Sequence, residues 1–93
     1  MVLISVCIPS YNRAEELKEL LDSVVKQNSQ NFEIVIVEDK SPAREKIKKI
    51  VKEYINKFPF IDINYYENSN NLGYDKNFRK LFELSRGEYC LVL

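Results

Sequence analysis

Residues 33–37 read Glu-Ile-Val-Ile-Val, a short and almost wholly apolar run that is typical of a strand buried on both faces of a parallel sheet. Similar runs occur at residues 3–8, 61–66 and 89–93. Between them, apolar residues recur at three- and four-residue spacing, which is the period of a helix with one buried face. The sequence therefore predicts four strands that alternate with three helices.

The ends of the helices are predicted from capping residues. Asn12 is the expected N-cap of the first helix, and Ser41, followed by a proline, that of the second. The third helix is predicted from about residue 74 to residue 85, with Gly87 as its C-terminal cap. Its buried face is expected to comprise Phe78, Leu81 and Phe82.

Helical crossovers of this length favour parallel strands, because such connections are right-handed and lay helices on both faces of the sheet. We expect an α/β fold, a Rossmann-like three-layer αβα arrangement with a parallel sheet in the order 3-2-1-4. This order creates a topological switch point between strands 1 and 4, and ligands bind beside the carboxyl ends of strands at such points. The polar loops that converge there are residues 9–13, 38–41 and 67–73.

The composition of the chain excludes several kinds of partner and active site. The 93 residues suit one domain, residues 1–93, and the 14 basic and 14 acidic side chains balance, so no nucleic-acid partner is expected. Histidine is absent, which excludes a Ser-His-Asp triad and a His-ligated zinc site within the chain. The two cysteines, Cys7 and Cys90, lie in apolar runs and are predicted to have a structural role as small hydrophobes.

The last predicted strand ends with the chain at Leu93 and would leave an apolar edge open to pairing with another chain. We therefore expect the sequence to be the amino-terminal piece of a longer protein. We also expect self-association through this exposed last strand.

Two loop positions carry residues suited to a nucleotide. Tyr11 precedes a helix, so its ring can support a flat base while the helix N-terminus offers N–H groups to an anion; it can equally be an ordinary tyrosine over the sheet end. One carboxylate of Glu38 and Asp39 should point into the rim, where it can bind a base N–H, a ribose hydroxyl or a metal, although strand-end acids also serve as helix caps.

The third loop and helix add weaker candidates. Gly73 ends a run typical of turns, because asparagine and glycine tolerate positive φ. Lys76 and Arg79 can meet a phosphate, but charged residues on helix faces are more often solvated.

Several segments, taken as a set, resemble the amino-terminal half of the inverting glycosyltransferases of family 2, which have the GT-A fold. These segments are ISVCIPSYNR at 4–13, FEIVIVEDKS at 32–41, Asn71-Leu72-Gly73 with Asn77, and Gly87-Glu88-Tyr89. The resemblance covers essentially the whole chain.

The resemblance assigns roles by position. Tyr11 would contact the base and Asp39 matches the carboxylate that recognises it, while Glu38 replaces the usual first aspartate and Lys40 stands where glycine or asparagine is more common. Lys76 precedes the matched asparagine and would approach the pyrophosphate or the base. The implied nucleotide-binding residues are Pro9, Ser10, Tyr11, Arg13, Asp39 and Lys76, with Glu38, Gly73 and Asn77 as further candidates.

The resemblance also implies a reaction. The intact enzyme would transfer a sugar from a nucleoside-diphosphate sugar, with a UDP-sugar favoured, to a saccharide or lipid-linked acceptor in cell-surface or polysaccharide biosynthesis. It would be cytoplasmic, at the inner face of the membrane, and would use a divalent metal, Mg or Mn. The metal-binding D-x-D motif and the general base would follow Leu93, so no catalytic residue and no metal ligand is expected in these residues, and the fragment itself should be inactive.

Two other readings remain open. The chain can be a non-catalytic doubly wound binding or regulatory domain that pairs with a partner through its last strand. It can also be an independent nucleotide-processing enzyme, although neither a GxGxxG nor a GxxxxGK[ST] motif occurs.

Overall fold

Strands and helices alternate along the chain as the sequence predicts. The structure, a computed structural model, describes residues 2–27 and 31–93, and all seven predicted elements lie within these ranges. The elements are β1 (Ile4–Ser10), α1 (Ala14–Val24), β2 (Phe32–Glu38), α2 (Arg44–Lys57), β3 (Asp62–Glu67), α3 (Tyr74–Leu84) and β4 (Tyr89–Val92).

The sheet has the order β3-β2-β1-β4 and all of its pairings are parallel. Ile4 lies opposite Phe32 in β2 and opposite Tyr89 in β4, so β1 is central. The expected α/β fold and strand order are confirmed. The switch point lies between β1 and β4, at the edge where Ser10 ends β1.

The two faces of the sheet are covered by different helices, which gives the three predicted layers. Alternate residues of a strand point to opposite faces, so β1 and β2 each contribute to both cores. The larger core joins the sheet to α1 and α2, with Ile8, Ile34, Leu21 and Ile47 fully buried within it. The smaller core, under α3, comprises Cys7, Val35, Val37 and Leu81.

The predicted N-caps of the first two helices are wrong. Asn12 has a left-handed φ of 55°, and α1 begins at Ala14 with Arg13 at its N-cap position. α2 begins at Arg44, because the Ser41 hydroxyl and N–H both bind the Glu38 carboxylate instead of capping the helix.

The predictions for α3 and its surroundings need two corrections. Phe82 is 45% exposed and packs edge-on against Phe78, whereas Leu81 is the apolar side chain of α3 that is fully buried in the small core. Ser85, not Gly87, is the C-cap. A Cβ at Gly87 would lie 2.6 Å from the backbone nitrogen of Ser5, so this glycine permits close packing of the α3–β4 connection on β1.

The cysteines differ in environment. Cys7 is fully buried in β1, and this burial raises the pKa of its thiol above the usual value of 9.0. Cys90 is exposed on β4, because β4 is an edge strand. Within the part of the chain that the structure describes, no other element covers this side of β4.

A buried carboxylate at the amino-terminal edge of the sheet joins three of its strands. Glu33 in β2 is 1% exposed. Its Oε2 accepts the Ser5 hydroxyl from β1 at 2.6 Å and the Arg86 backbone N–H at 2.6 Å. Its Oε1 accepts the Arg86 side chain at 3.1 Å and the Asn64 amide, from β3, at 3.3 Å. The carboxylate therefore connects β1, β2 and β3 to the segment that leads into β4.

The hydrogen bonds determine the charge state of this group. Burial alone would raise the pKa of Glu33, but the hydrogen bonds from Ser5 and Arg86 outweigh it and hold the pKa below the usual value of 4.5. Arg86 also pairs with Asp62 at the start of β3, and the N–H of Gly87 donates to the Ser5 hydroxyl at 2.8 Å. The charged form of Glu33 is thus the one that the fold stabilises.

Glu33→Ala should lower the free energy of unfolding by about 3 kcal/mol, because it leaves the buried Ser5 hydroxyl donor and the part-buried Arg86 N–H without an acceptor. Glu83→Ala, at an exposed position on α3, is the matched control and should change stability by about 0.5 kcal/mol or less. Urea denaturation followed by circular dichroism measures both values. Equal effects of the two substitutions would contradict the role of Glu33.

The same carboxylate predicts a pH dependence. Since the pKa of Glu33 is lower in the folded than in the unfolded chain, its stabilisation is complete above the unfolded value of 4.5 and is lost as the pH falls through the folded pKa. The stability difference between the wild type and Glu33→Gln should therefore shrink as the pH falls from about 6 to about 3. Urea titrations at a series of pH values test this, and a constant difference would refute it.

Candidate functional site

A cleft of about 680 Å³ lies at the switch-point edge of the sheet. Its walls come from the end of β1, the residue after β2, the start of α3 and the first turns of α1. It brings together seven of the nine sequence-predicted site residues: Pro9, Ser10, Tyr11, Arg13, Asp39, Gly73 and Asn77.

Asp39 is the buried carboxylate of this cleft, with 3% of its surface exposed. Its Oδ1 accepts the backbone N–H of Leu72 at 2.7 Å and the Asn68 side-chain amide at 2.9 Å. Its Oδ2 accepts the backbone N–H of Gly73 at 2.9 Å. These bonds fix the β3–α3 loop against the end of β2, and Gly73, with a φ of 85°, adopts the turn that this requires.

Two asparagines extend this network under the cleft. Asn68 donates to Asn77 Oδ1 at 2.8 Å as well as to Asp39, and its backbone N–H donates to the carbonyl of Glu38 at 2.9 Å. Asn77 in turn donates to the carbonyl of Val37 at 3.2 Å. Both side chains are buried, so α3 is anchored to the end of β2 through amide hydrogen bonds.

Ser10 provides the opposite case, a buried polar atom without a partner. Its side chain is 3% exposed and lines the cleft, and its hydroxyl makes no hydrogen bond to any residue in the ranges 2–27 and 31–93. Its carbonyl accepts the Asp39 N–H at 2.9 Å, which holds the two residues side by side. A buried hydroxyl left unpaired costs free energy, so this atom is available to a ligand.

Aromatic and basic side chains form the outer part of the cleft. Tyr11 is 48% exposed and Tyr74, at the start of α3, is 71% exposed, and both line it. Arg13, also exposed, lies at the entrance to α1 and lines the same space. Exposed rings can stack on a flat base, and a guanidinium can bind a phosphate bidentately.

Two predicted residues lie elsewhere. Glu38 is fully buried, and its carboxylate accepts the N–H and the hydroxyl of Ser41, each at 2.7 Å, so it serves the β2–α2 turn instead of lining the cleft. Consecutive residues point in opposite directions at a strand end, so only one of this acidic pair reaches the rim, and it is Asp39. Lys76 is exposed on α3 and does not line the cleft.

Some cleft residues were not predicted. Asn71 and Tyr74 line the cleft, and Asn68 positions its carboxylate. The sequence analysis placed both asparagines in the loop 67–73 at this rim but named neither as a site residue, and it interpreted the tyrosine only as a helix start. The signal that could have identified them is that the loop after β3 and the start of α3 lie at the same edge as Asp39.

The donor set does not fit a divalent metal. Within the described ranges, no three side chains of His, Cys, Asp and Glu are grouped so that they could hold a metal ion. The Asp39 carboxylate already accepts three N–H groups. In the same part of the chain, no helix is long and apolar enough to cross a bilayer.

Ser10→Ala should leave the free energy of unfolding unchanged or slightly raised, because the hydroxyl it removes has no partner. Ser41→Ala is the matched control: it removes a buried hydroxyl that binds Glu38 and should cost about 1 kcal/mol. Urea denaturation of the two variants measures both changes in the free energy of unfolding. If Ser10→Ala lowered this free energy as much as Ser41→Ala does, the Ser10 hydroxyl would already be paired.

Comparison with known proteins agrees with this geometry. Abequosyltransferase RfbV of Salmonella typhimurium is 38% identical over 91 residues, which are 98% of this chain and 27% of that protein. S. aureus TarS 1–349 in complex with UDP-GlcNAc superposes with a TM-score of 0.83 and 29% identity, over 99% of this chain and 26% of that one. The chain thus spans about a quarter of the length of these proteins.

A third similarity concerns the fold alone. The mannosyltransferase PcManGT from Pyrobaculum calidifontis, in complex with GDP-Man and Mn²⁺, gives a TM-score of 0.82 at 22% identity, over 91% of this chain and 25% of that one. Finally, the family described as Glycosyl transferase family 2 matches residues 5–93. The chain therefore belongs to glycosyltransferase family 2, with the GT-A fold that the sequence resemblance implies.

Proposed function

We propose that this chain is the donor-binding part of a glycosyltransferase that uses a nucleoside-diphosphate sugar, with a UDP-sugar favoured. The observation that carries the proposal is the cleft at the switch point, which is lined by the buried Asp39, by Ser10 with its unpaired hydroxyl and by the exposed Tyr11. The UDP-GlcNAc bound by TarS supports a nucleotide sugar as the donor.

Each group in the cleft has a binding role in this proposal. The Tyr11 ring stacks on the base, and the Asp39 carboxylate accepts a hydrogen bond from a base N–H. The Ser10 hydroxyl gains the partner that it lacks by donating to an oxygen of the nucleotide. Arg13, at the entrance of the cleft, attracts the diphosphate. These residues bind and orient the donor, and we assign no proton transfer to them.

The remaining parts of the reaction are proposed to come from residues outside this sequence. They comprise the general base, the acceptor site and the ligands of a divalent metal, Mg or Mn, which would neutralise charge on the leaving diphosphate. On this proposal the fragment alone is inactive. The acceptor is a saccharide or lipid-linked sugar in cell-surface or polysaccharide biosynthesis, and the intact enzyme is cytoplasmic, at the inner face of the membrane.

A specific observation favours a second candidate. β4 is an edge strand with the exposed apolar side chains Tyr89 and Leu91, and an open edge of this kind favours pairing with another strand. A non-catalytic binding domain that recruits a partner, or a second copy of this chain, through β4 would use this edge. It predicts no affinity for nucleotides.

Tyr11→Ala separates the two candidates. If Tyr11 stacks on the base, the substitution should weaken UDP binding about tenfold, because stacking on an aromatic ring contributes about 1–3 kcal/mol per base. Tyr66→Ala, at an exposed tyrosine on β3 outside the cleft, is the matched control and should leave binding unchanged. Equilibrium dialysis with labelled UDP measures both. Absence of UDP binding by the wild type would favour the second candidate.

A further inference from the structure

The Asp39 carboxylate has a nearly complete set of hydrogen bonds. An ionised carboxylate offers about four lone-pair positions, two on each oxygen. Oδ1 uses both of its positions, for Leu72 N–H at 2.7 Å and for Asn68 Nδ2 at 2.9 Å. Oδ2 uses one, for Gly73 N–H at 2.9 Å. A single acceptor position therefore remains, on Oδ2 of a side chain that lines the cleft.

Asn68 is the side chain that occupies the second acceptor position of Asp39 Oδ1. The other two donors are backbone groups of the β3–α3 loop, whereas Asn68 contributes its side-chain amide. Two further hydrogen bonds fix Asn68. Its side-chain nitrogen also donates to Asn77 Oδ1 at 2.8 Å, and its backbone N–H donates to the carbonyl of Glu38. It is buried and does not itself line the cleft, so it acts on a ligand only through Asp39.

The number of free positions matters because bases differ in how many N–H groups they present together. Uracil presents one ring N–H between two carbonyl oxygens. Guanine presents two adjacent N–H donors, on the ring and on the 2-amino group. A carboxylate with one free position satisfies uracil and leaves one guanine donor unpaired, which lowers affinity.

We propose that Asn68 is a positioning residue that limits Asp39 to one free acceptor position and so makes the cleft select a base with a single N–H over guanine. The proposal rests on the proposed function, since it requires that a nucleotide binds in this cleft. It adds a physical basis for the base preference and the residue that enforces it.

A comparison of GDP with inosine diphosphate tests the proposal without a change of base size. Hypoxanthine keeps the ring N–H of guanine but lacks the 2-amino group. With one free position, inosine diphosphate should bind the wild-type chain at least as tightly as GDP, and UDP should bind about fivefold or more tighter than GDP. Competition against labelled UDP gives all three affinities. Tighter binding of GDP than of inosine diphosphate would overturn the proposal.

Asn68→Ala tests the role of the asparagine. It frees a second position on Oδ1, so the affinity of GDP relative to inosine diphosphate should rise about fivefold. If Asn68 had a purely structural role, its loss would weaken the binding of both diphosphates alike and leave the ratio of their affinities unchanged. That result would contradict the proposal. Asn70→Ala is the matched control, because Asn70 lies in the same loop, is exposed and does not line the cleft. Should Asn68→Ala fail to fold, the wild-type ratio still decides the base preference.

The outcomes separate this inference from the proposed function. If no diphosphate binds, the proposed function fails and the inference fails with it. If nucleotides bind in the cleft but GDP is bound more tightly than inosine diphosphate, the proposed function stands and the inference about Asn68 is wrong.

Discussion

The buried carboxylate of Glu33 binds groups that lie far apart along the chain, and the arrangement of the sheet depends on it. Ser5 and Arg86, its main partners, are 28 and 53 residues away. β4 is only four residues long, and the segment that leads into it is held against β1 by the Gly87–Ser5 hydrogen bond and against β2 by the Arg86–Glu33 bonds. Without this carboxylate, the amino-terminal edge would leave several donors unpaired, and the segment before β4 would lose its attachment to β2.

The two edges of the sheet use carboxylates in different ways. At the amino-terminal edge, both oxygens of Glu33 accept donors from its neighbours, which suits a structural role. At the carboxyl-terminal edge, Asp39 keeps one free acceptor position and Ser10 keeps an unpaired hydroxyl, side by side in a cleft. Unused hydrogen-bonding capacity in a buried position is costly in a folded chain, and a ligand that supplies the missing partners recovers that cost. This contrast is the physical reason to assign the nucleotide to the second edge.

Much of the fold could be predicted because it depends on local periodicity and on general rules of chain connection. Apolar runs and helical spacing predict the elements, and the right-handed crossover restricts the order of the strands. The cap predictions failed because Asn12 and Lys40 adopt left-handed φ values of 55° and 53°, which depend on how each loop leaves its strand.

The candidate site could be predicted only in part. The loops that follow the strands were identified. The residues alone could not decide which of Glu38 and Asp39 faces the cleft, since that depends on the register at the end of β2, whereas the family resemblance indicated Asp39. Nor could it reveal that Asn68 completes the hydrogen bonds of Asp39, 29 residues away, because any loop asparagine is equally typical of a turn. Long-range hydrogen bonds of this kind require the folded arrangement.

The central claim is that a nucleotide binds at the carboxyl-terminal edge of the sheet, and an amide-resolved NMR titration of the chain with UDP tests it most directly. The account predicts that the shifted amides cluster at Ser10, Tyr11, Asp39 and Gly73, which line the cleft, while the amide of Glu33 at the opposite edge stays unchanged. Shifts concentrated around Glu33 and Arg86, or spread along α2, would contradict it.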